Sequence, residues 1–153
     1  MGSTDGKFLI YIIGGFVVAF IGLFLTLIIY NTTNPRLDYG DMTQVDSFVE
    51  TLTQEEDVYL VYFYSESCPA CQRIKNEVLS FSDKNNMDVP VYFVDLARVQ
   101  LPDEINVYLT GYRGTPHMEI IVNNSYIGEY ASGTDQIPNL FDEINSGEND
   151  YIQ

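Results

Sequence analysis

The sequence predicts an α/β domain with a mixed central sheet and helices on both faces, preceded by one transmembrane helix. Three observations predict it. A run of β-formers at 58–64 leads directly into a stretch with helical spacing. The alternation of strand and helix then recurs from 89 to 112. An uncharged apolar run at 8–30 stands apart from everything that follows.

That run, Phe8 to Tyr30, is interrupted only by Gly14, Gly15, Gly22 and Thr26. At the helical rise it spans about 35 Å, enough to cross a hydrocarbon core with some tilt. It exceeds the apolar region of a secretory signal, and Tyr30-Asn31-Thr32-Thr33-Asn34 offers no small-x-small cleavage site, so an uncleaved anchor is expected. Lys7 and the α-amine precede the run, whereas Arg36 beyond it is followed by Asp38 and Asp41. This small basic bias puts the N-terminus inside the cell membrane and the rest of the chain outside it. The expected organisation is a tail at 1–7, the anchor at 8–30, a polar linker containing Pro35 at 31–41, a domain at 42–147 and a frayed tail at 148–153.

Within the domain, Val45, Phe48, Val49 and Leu52 fall at helical spacing behind Asp41 or Thr43 as caps, predicting a first helix. Val58-Tyr59-Leu60-Val61-Tyr62-Phe63-Tyr64 reads as a buried strand. Ile74, Val78, Leu79 and Phe81 line one face of a helix running from Cys68 to about Ser82. A second strand covers 89–94, with Pro90 at its start, where the ladder can spare a donor. Pro102-Asp103-Glu104 opens a helix carrying Ile105, Tyr108, Leu109 and Tyr112 on one face, closed by Gly111 and Gly114. His117–Val122 and Tyr126–Ala131 are strands joined at Asn123-Asn124-Ser125 as a hairpin. The last helix begins near Thr134, turns Ile137, Leu140, Phe141 and Ile144 inward and ends at Gly147.

The chain carries 7 Lys+Arg against 22 Asp+Glu, for a net charge of −15. That balance excludes an electrostatic nucleic-acid binder and reads as a solvated acidic surface. Its two cysteines, Cys68 and Cys71, sit where the 58–64 strand hands over to a helix. Closing so short a loop would stabilise the fold by only about 2 kcal/mol on the chain-entropy estimate, a weak reason for the pair to exist. At a helix N-terminus, however, unpaired N–H groups and the macrodipole favour a thiolate, the form of cysteine that attacks disulfides. Pro69 suits the first turn, where no partner awaits its missing N–H.

The order of elements, the motif Cys68-Pro69-Ala70-Cys71 and the later Gly111-Tyr112-Arg113-Gly114-Thr115-Pro116 resemble the thioredoxin family over residues 42 to 147. The resemblance implies a thioredoxin-like thiol–disulfide oxidoreductase that needs no cofactor, with Cys68 as nucleophile and Cys71 as the more buried, resolving sulfur. It also implies a cis bond between Thr115 and Pro116 beside the cysteines, and pairing of the Thr115 backbone with an extended substrate segment. The implied partners are protein or peptide substrates bearing thiols or disulfides and a redox partner in the membrane. Two departures speak against an efficient general cytosolic reductant. Ser67 stands where many thioredoxins have Trp, and Tyr62 stands where many have a buried Asp. A tyrosine cannot relay protons near neutral pH. An N-terminal anchor, short linker and single domain are also similar to the bacteriocin transport accessory proteins of Gram-positive bacteria. Thioredoxin-related transmembrane proteins of the endoplasmic reticulum share Cys-Pro-Ala-Cys but carry the anchor after the domain.

Three rival readings have residues behind them. Cys68, Cys71 and His117 supply three soft ligands, one short of the four that structural zinc wants. His117 reads as an ordinary strand residue whose other role would be to stabilise a thiolate when protonated, and Glu66 as a solvated loop charge. The tyrosines of the two strands at 58–64 and 89–94 read as packing. A non-catalytic module that uses the groove at Thr115-Pro116 for recognition is the alternative class.

Overall fold

The structure, a computed structural model, describes residues 4–33, 37–109 and 111–152. Residues 1–3 of the expected tail, 34–36 of the expected linker, Thr110 and Gln153 lie outside the described residues. The chain divides into two units, 1–36 and 37–153. The first is a single helix, α1 (Thr4–Thr33). Its segment Ile10–Ile29, with a mean hydropathy of 2.8, is long and apolar enough to cross a membrane. Thr26 Oγ1 in that segment donates to the Gly22 carbonyl at 2.8 Å, so this hydroxyl needs no partner outside the helix.

The second unit is built on four strands, β1 (Val58–Tyr64), β2 (Val91–Asp95), β3 (His117–Val122) and β4 (Ser125–Ser132). They lie in the order β2-β1-β3-β4. β2 runs parallel to β1, while β3 and β4 add on antiparallel. β1 is central and buried on both faces, which is why its sequence lacks polar alternation. Leu60, Tyr62 and Tyr64 face the layer made by α2 (Pro69–Asp83) and α4 (Gly133–Ser146). Tyr59, Val61 and Phe63 face the other layer. The helices deliver the side chains their spacing promised, and Phe81 of α2 stacks on Phe141 of α4 at 4.0 Å between centroids. The hairpin turns through Asn123 and Asn124, both at positive φ, with Val122 paired to Ser125. Gly147 closes α4 at φ 72, its N–H donating to Ile144 while that of Glu148 reaches Glu143.

Three expectations are corrected. The helix expected from Met42 does not form. Thr43 accepts from the Phe93 N–H at 2.9 Å and Val45 donates back to the Phe93 carbonyl at 3.0 Å, so this segment covers the exposed edge of β2. What remains is a 3-10 turn, Val49–Leu52; Val45 and Phe48 are buried, but Val49 is 70% exposed. The helix after Pro102 shrinks to one turn, α3 (Ile105–Tyr108), leaving Leu109 buried and Tyr108 exposed. Together these two short pieces cover the second face of the sheet in place of long helices.

The third correction concerns the limits of the packed unit. Tyr39, expected in the linker, is completely buried, with its ring 4.0 Å from that of Tyr64. A reciprocal capping box fixes its turn: the Asp38 carboxylate accepts from the Asp41 N–H and the Asp41 carboxylate from the Asp38 N–H at 2.8 Å, while the Asp38 carboxylate also takes the Tyr39 N–H at 2.7 Å. At the other end, Asn149 Oδ1 accepts the N–H groups of Tyr151 and Ile152, and Ile152 is buried in the α2–α4 layer. The packed unit therefore runs from Leu37 through Ile152, wider than 42–147 at both ends.

Candidate active site

β1 ends at Tyr64 and a short serine-rich turn carries the chain into α2. The Cys68 N–H donates to the Ser65 carbonyl at 3.1 Å, the Ser65 and Ser67 hydroxyls pair at 2.9 Å, and Gln72 Nε2 ties the Glu66 carbonyl back to α2 at 2.9 Å. Cys68 then takes the cap position itself, with extended backbone angles, and Pro69 occupies the first helical position. Its sulfur accepts the Cys71 N–H at 3.1 Å, doing for α2 what a serine or aspartate oxygen does at other helix starts.

The second wall comes from the loop before β3. The Thr115–Pro116 peptide bond is cis. The Pro116 carbonyl is held by the Gly133 N–H at 3.0 Å and by the Ser132 hydroxyl at 3.5 Å, both at the β4–α4 junction. So placed, the Thr115 carbonyl accepts the Cys68 thiol at 3.4 Å. Residues almost fifty positions apart in sequence thus meet at one sulfur. Earlier in the same loop, Gly111 sits at φ 73 beneath the Tyr130 ring, where any Cβ would collide with that ring.

The two thiols are free and unlike each other: Cys68 is partly exposed and Cys71 fully buried. Burial pulls the Cys68 thiol upward, but it is outweighed by hydrogen bonds to the sulfur from the Cys71 thiol, the Thr115 side chain and the backbone N–H groups of Cys71 and Ala70. The net effect holds Cys68 below the ordinary cysteine range. Burial pushes Cys71 upward, and the adjacent Cys68 pushes it further. A pair split in this way has one sulfur ready to attack and one that reacts only when a target is brought to it.

Beneath Cys71 lies a packed group of phenols. The Tyr39 hydroxyl donates to the Cys71 carbonyl at 3.3 Å, and the Lys75 ammonium sits over the Tyr39 ring at 4.6 Å while pairing with Asp38. Tyr62 is completely buried in the same cluster, and its hydroxyl has no hydrogen-bond partner. Burial drives its pKa far above the ordinary phenol, so it holds its proton throughout the working range. Tyr39 and Lys75 were not singled out by the sequence reading. The available signal was the Asp38-x-x-Asp41 capping pattern around an aromatic residue, which a disordered linker would not need.

His117 does not join the sulfurs. Its ring lies among Phe63, Tyr112 and Tyr130, and its Nε2 meets Glu119 Oε1 at 2.8 Å, with both side chains fully buried. Nε2 is thus engaged by Glu119, while Nδ1 is buried without a hydrogen-bond partner. Among the described residues, no group of three or more His, Cys, Asp or Glu comes together. Glu119 was missed by sequence, although a carboxylate two residues after a histidine in one strand must share its face. Glu66 is an exposed loop residue.

The thioredoxin family model matches residues 41–146. No curated protein matches the chain significantly. Solved structures with the same fold include a mutant thioredoxin from Halobacterium salinarum, at 24% identity and TM-score 0.55, covering 77% of this chain and 97% of that one. The thioredoxin of Malassezia sympodialis is similar at 20% identity and TM-score 0.53, covering 74% and 96%. Thioredoxin f2 of Chlamydomonas reinhardtii is similar at 21% identity and TM-score 0.52, covering 70% and 96%. At these identities the likeness speaks for the fold, and the chemistry has to be argued from the residues above.

Proposed function

The chain belongs to the thioredoxin family, and on that footing we propose that it is a membrane-anchored thiol–disulfide oxidoreductase acting on proteins or peptides. The observation that carries this reading is the environment of the Cys68 sulfur. It caps a helix, receives the Cys71 N–H at 3.1 Å and lies 3.4 Å from the Thr115 carbonyl.

In the reducing direction, the Cys68 thiolate attacks one sulfur of a substrate disulfide. An S–S bond forms to Cys68 and the substrate's other sulfur leaves as a thiolate, which takes up a proton. Cys71, having lost its own proton, then attacks the Cys68 sulfur. The Cys68–Cys71 disulfide forms and the second substrate thiolate departs. Two electrons have moved from the cysteine pair to the substrate, and oxidation of a substrate dithiol runs the same steps backwards. An extended substrate segment pairs with the Thr115 backbone as a short added strand, which places its sulfur against Cys68.

α1 is the membrane anchor in this reading, with Lys7 on the inner side and the soluble unit outside, where a second membrane protein would exchange electrons with Cys68. Cys71→Ser tests the exchange chemistry. With the resolving sulfur gone, substrate-linked disulfides on Cys68 should accumulate and dissolve on reduction. A Cys71→Ser chain that captures nothing beyond what Cys68→Ser captures would contradict the proposal. Digestion of the soluble unit by protease added outside sealed cells tests the orientation, and protection there would reverse it.

A further inference from the structure

His117 and Glu119 are successive positions on one face of β3, opposite Phe63 and Val61 of β1. Those two β1 residues belong to the sheet face away from the Cys71 cluster, so the pair does too. Both side chains are completely buried and share one contact, His117 Nε2 to Glu119 Oε1 at 2.8 Å. Their other polar atoms, His117 Nδ1 and Glu119 Oε2, are buried with no hydrogen-bond partner. Packing alone does not call for such a pair, because apolar residues filling the same space are often at least as stable. What sets it apart is its place. Tyr112 meets the imidazole edge-on at 5.2 Å, Tyr130 stacks on it at 5.3 Å, and Phe63 lies at 6.1 Å. Tyr130 also lies against Gly111, and Pro116 directly precedes His117. Both ends of the 111–116 loop therefore rest on one imidazole. The Thr115 carbonyl of that loop meets the Cys68 thiol at 3.4 Å.

Resting on the disulfide-exchange reading for what the loop binds, we propose that His117 and Glu119 are positioning residues whose proton holds the 111–116 loop in its substrate-binding form. With the carboxyl protonated and the imidazole neutral, the cluster carries no charge. Loss of the carboxyl proton to solvent leaves a buried anion with one oxygen unsatisfied, an expensive state. Water is the partner that oxygen lacks, and reaching it means parting the Tyr112 and Tyr130 rings that cover the pair. Among the described residues, the titratable groups facing the pair are His117 and Glu119 themselves and the phenols of Tyr112, Tyr130 and Tyr126. The Tyr126 hydroxyl is already engaged with Thr51 at 2.6 Å, and β1 offers only Phe63 and Val61. Burial raises Glu119 against the hydrogen bond and charge of His117, so the fold shifts the balance toward the neutral carboxyl. The loop is thus best held below that ionisation and loosens above it.

The test compares the reduction of two disulfides across pH. One is an extended peptide disulfide, which pairs with the Thr115 backbone; the other is a small aryl disulfide, which meets only the sulfur. Ionisation of Cys68 affects both alike, so a difference between them reports the loop. As pH rises through the Glu119 ionisation, KM for the peptide should rise about fivefold, because only the fraction of molecules with a competent loop binds it. Its kcat should follow the rate for the aryl disulfide. Glu119→Gln keeps the hydrogen bond without the ionisation and should hold KM low at every pH. Glu119→Leu leaves Nε2 unpaired and should raise KM throughout. If Glu119→Gln fails to fold, the double variant His117→Phe, Glu119→Leu removes both ionisable groups and should likewise lose the pH step. Hydrogen–deuterium exchange of the Tyr112 amide, which donates to the Leu109 carbonyl at 3.3 Å, follows the loop without any sulfur chemistry. Its protection, corrected for intrinsic pH dependence, should fall over the same range in wild type and stay level in Glu119→Gln. A peptide KM that does not change with pH would overturn the inference, as would a step that survives in Glu119→Gln or appears equally with the aryl disulfide. A wild-type protein that reduces neither disulfide would contradict the disulfide-exchange reading, and the Tyr112 protection alone would then decide whether the pair holds the loop.

Discussion

The Cys71 N–H donates to the Cys68 sulfur at 3.1 Å, so the backbone of one cysteine favours negative charge on the other. The same two residues are driven in opposite directions, Cys68 below and Cys71 above the ordinary thiol. Reactivity toward a small alkylating agent should follow. Reduced protein at neutral pH should lose one thiol quickly, and peptide mapping should find the label on Cys68. The rate should rise with a midpoint below that of an exposed cysteine, and Cys68→Ser should react far more slowly. Equal labelling of both sulfurs would contradict the split.

Tyr39 should matter as a core residue does. It is completely buried, stacked on Tyr64 and bonded to the Cys71 carbonyl, so Tyr39→Ala should cost about 3–5 kcal/mol in chemical denaturation. By the same argument, a fragment beginning at Leu37 should melt well above one beginning at Met42, and equal melting temperatures would show that the 37–41 segment adds nothing.

Phe81 and Phe141 join α2 to α4 with stacked rings 4.0 Å apart. Phe141→Ala should destabilise the soluble unit by about 3–5 kcal/mol through the cavity it leaves. Because the contact lies far along α2 from the sulfurs, the pH profile of Cys68 alkylation should be unchanged under conditions where the variant is folded.

Glu119 carries a pH prediction with an unusual sign. Burial raises its pKa, against the opposing hydrogen bond and charge of His117. The folded state therefore holds this proton more tightly than the unfolded chain. The group's contribution to stability is full below the ordinary carboxylate range and is lost as pH rises through the raised value. Subtracting the Glu119→Gln curve of unfolding free energy against pH from that of wild type should give a difference that falls toward neutral pH. A flat or rising difference would mean that Glu119 is ionised and fully stabilised by His117.

Much of this was legible in the sequence. β1 announced itself because a strand buried on both faces has no polar positions, and α2 because Ile74, Val78, Leu79 and Phe81 repeat at helical spacing. The hairpin was readable from two asparagines, a residue type that tolerates positive φ. What failed were segments whose conformation is decided by distant partners. Val45 and Phe48 have helical spacing, yet Phe93 offered Thr43 and Val45 backbone hydrogen bonds that a helix start would have left unmade. The Tyr39 segment looked polar because one buried ring was hidden among Asp38, Gly40 and Asp41. Glu119 escaped because a buried carboxylate is rare and its partner, His117, was weighed only against the cysteines.

The central claim is that Cys68 and Cys71 exchange disulfides by sequential attack. Its most direct measurement is the rate at which the purified soluble unit, Leu37 to Gln153, transfers oxidising equivalents from glutathione disulfide to a dithiol peptide. The account predicts strong catalysis by the wild-type unit. Cys68→Ser should be as slow as no protein at all, and Cys71→Ser should stall after one turnover with glutathione linked to Cys68. A wild-type rate equal to that of Cys68→Ser would contradict it.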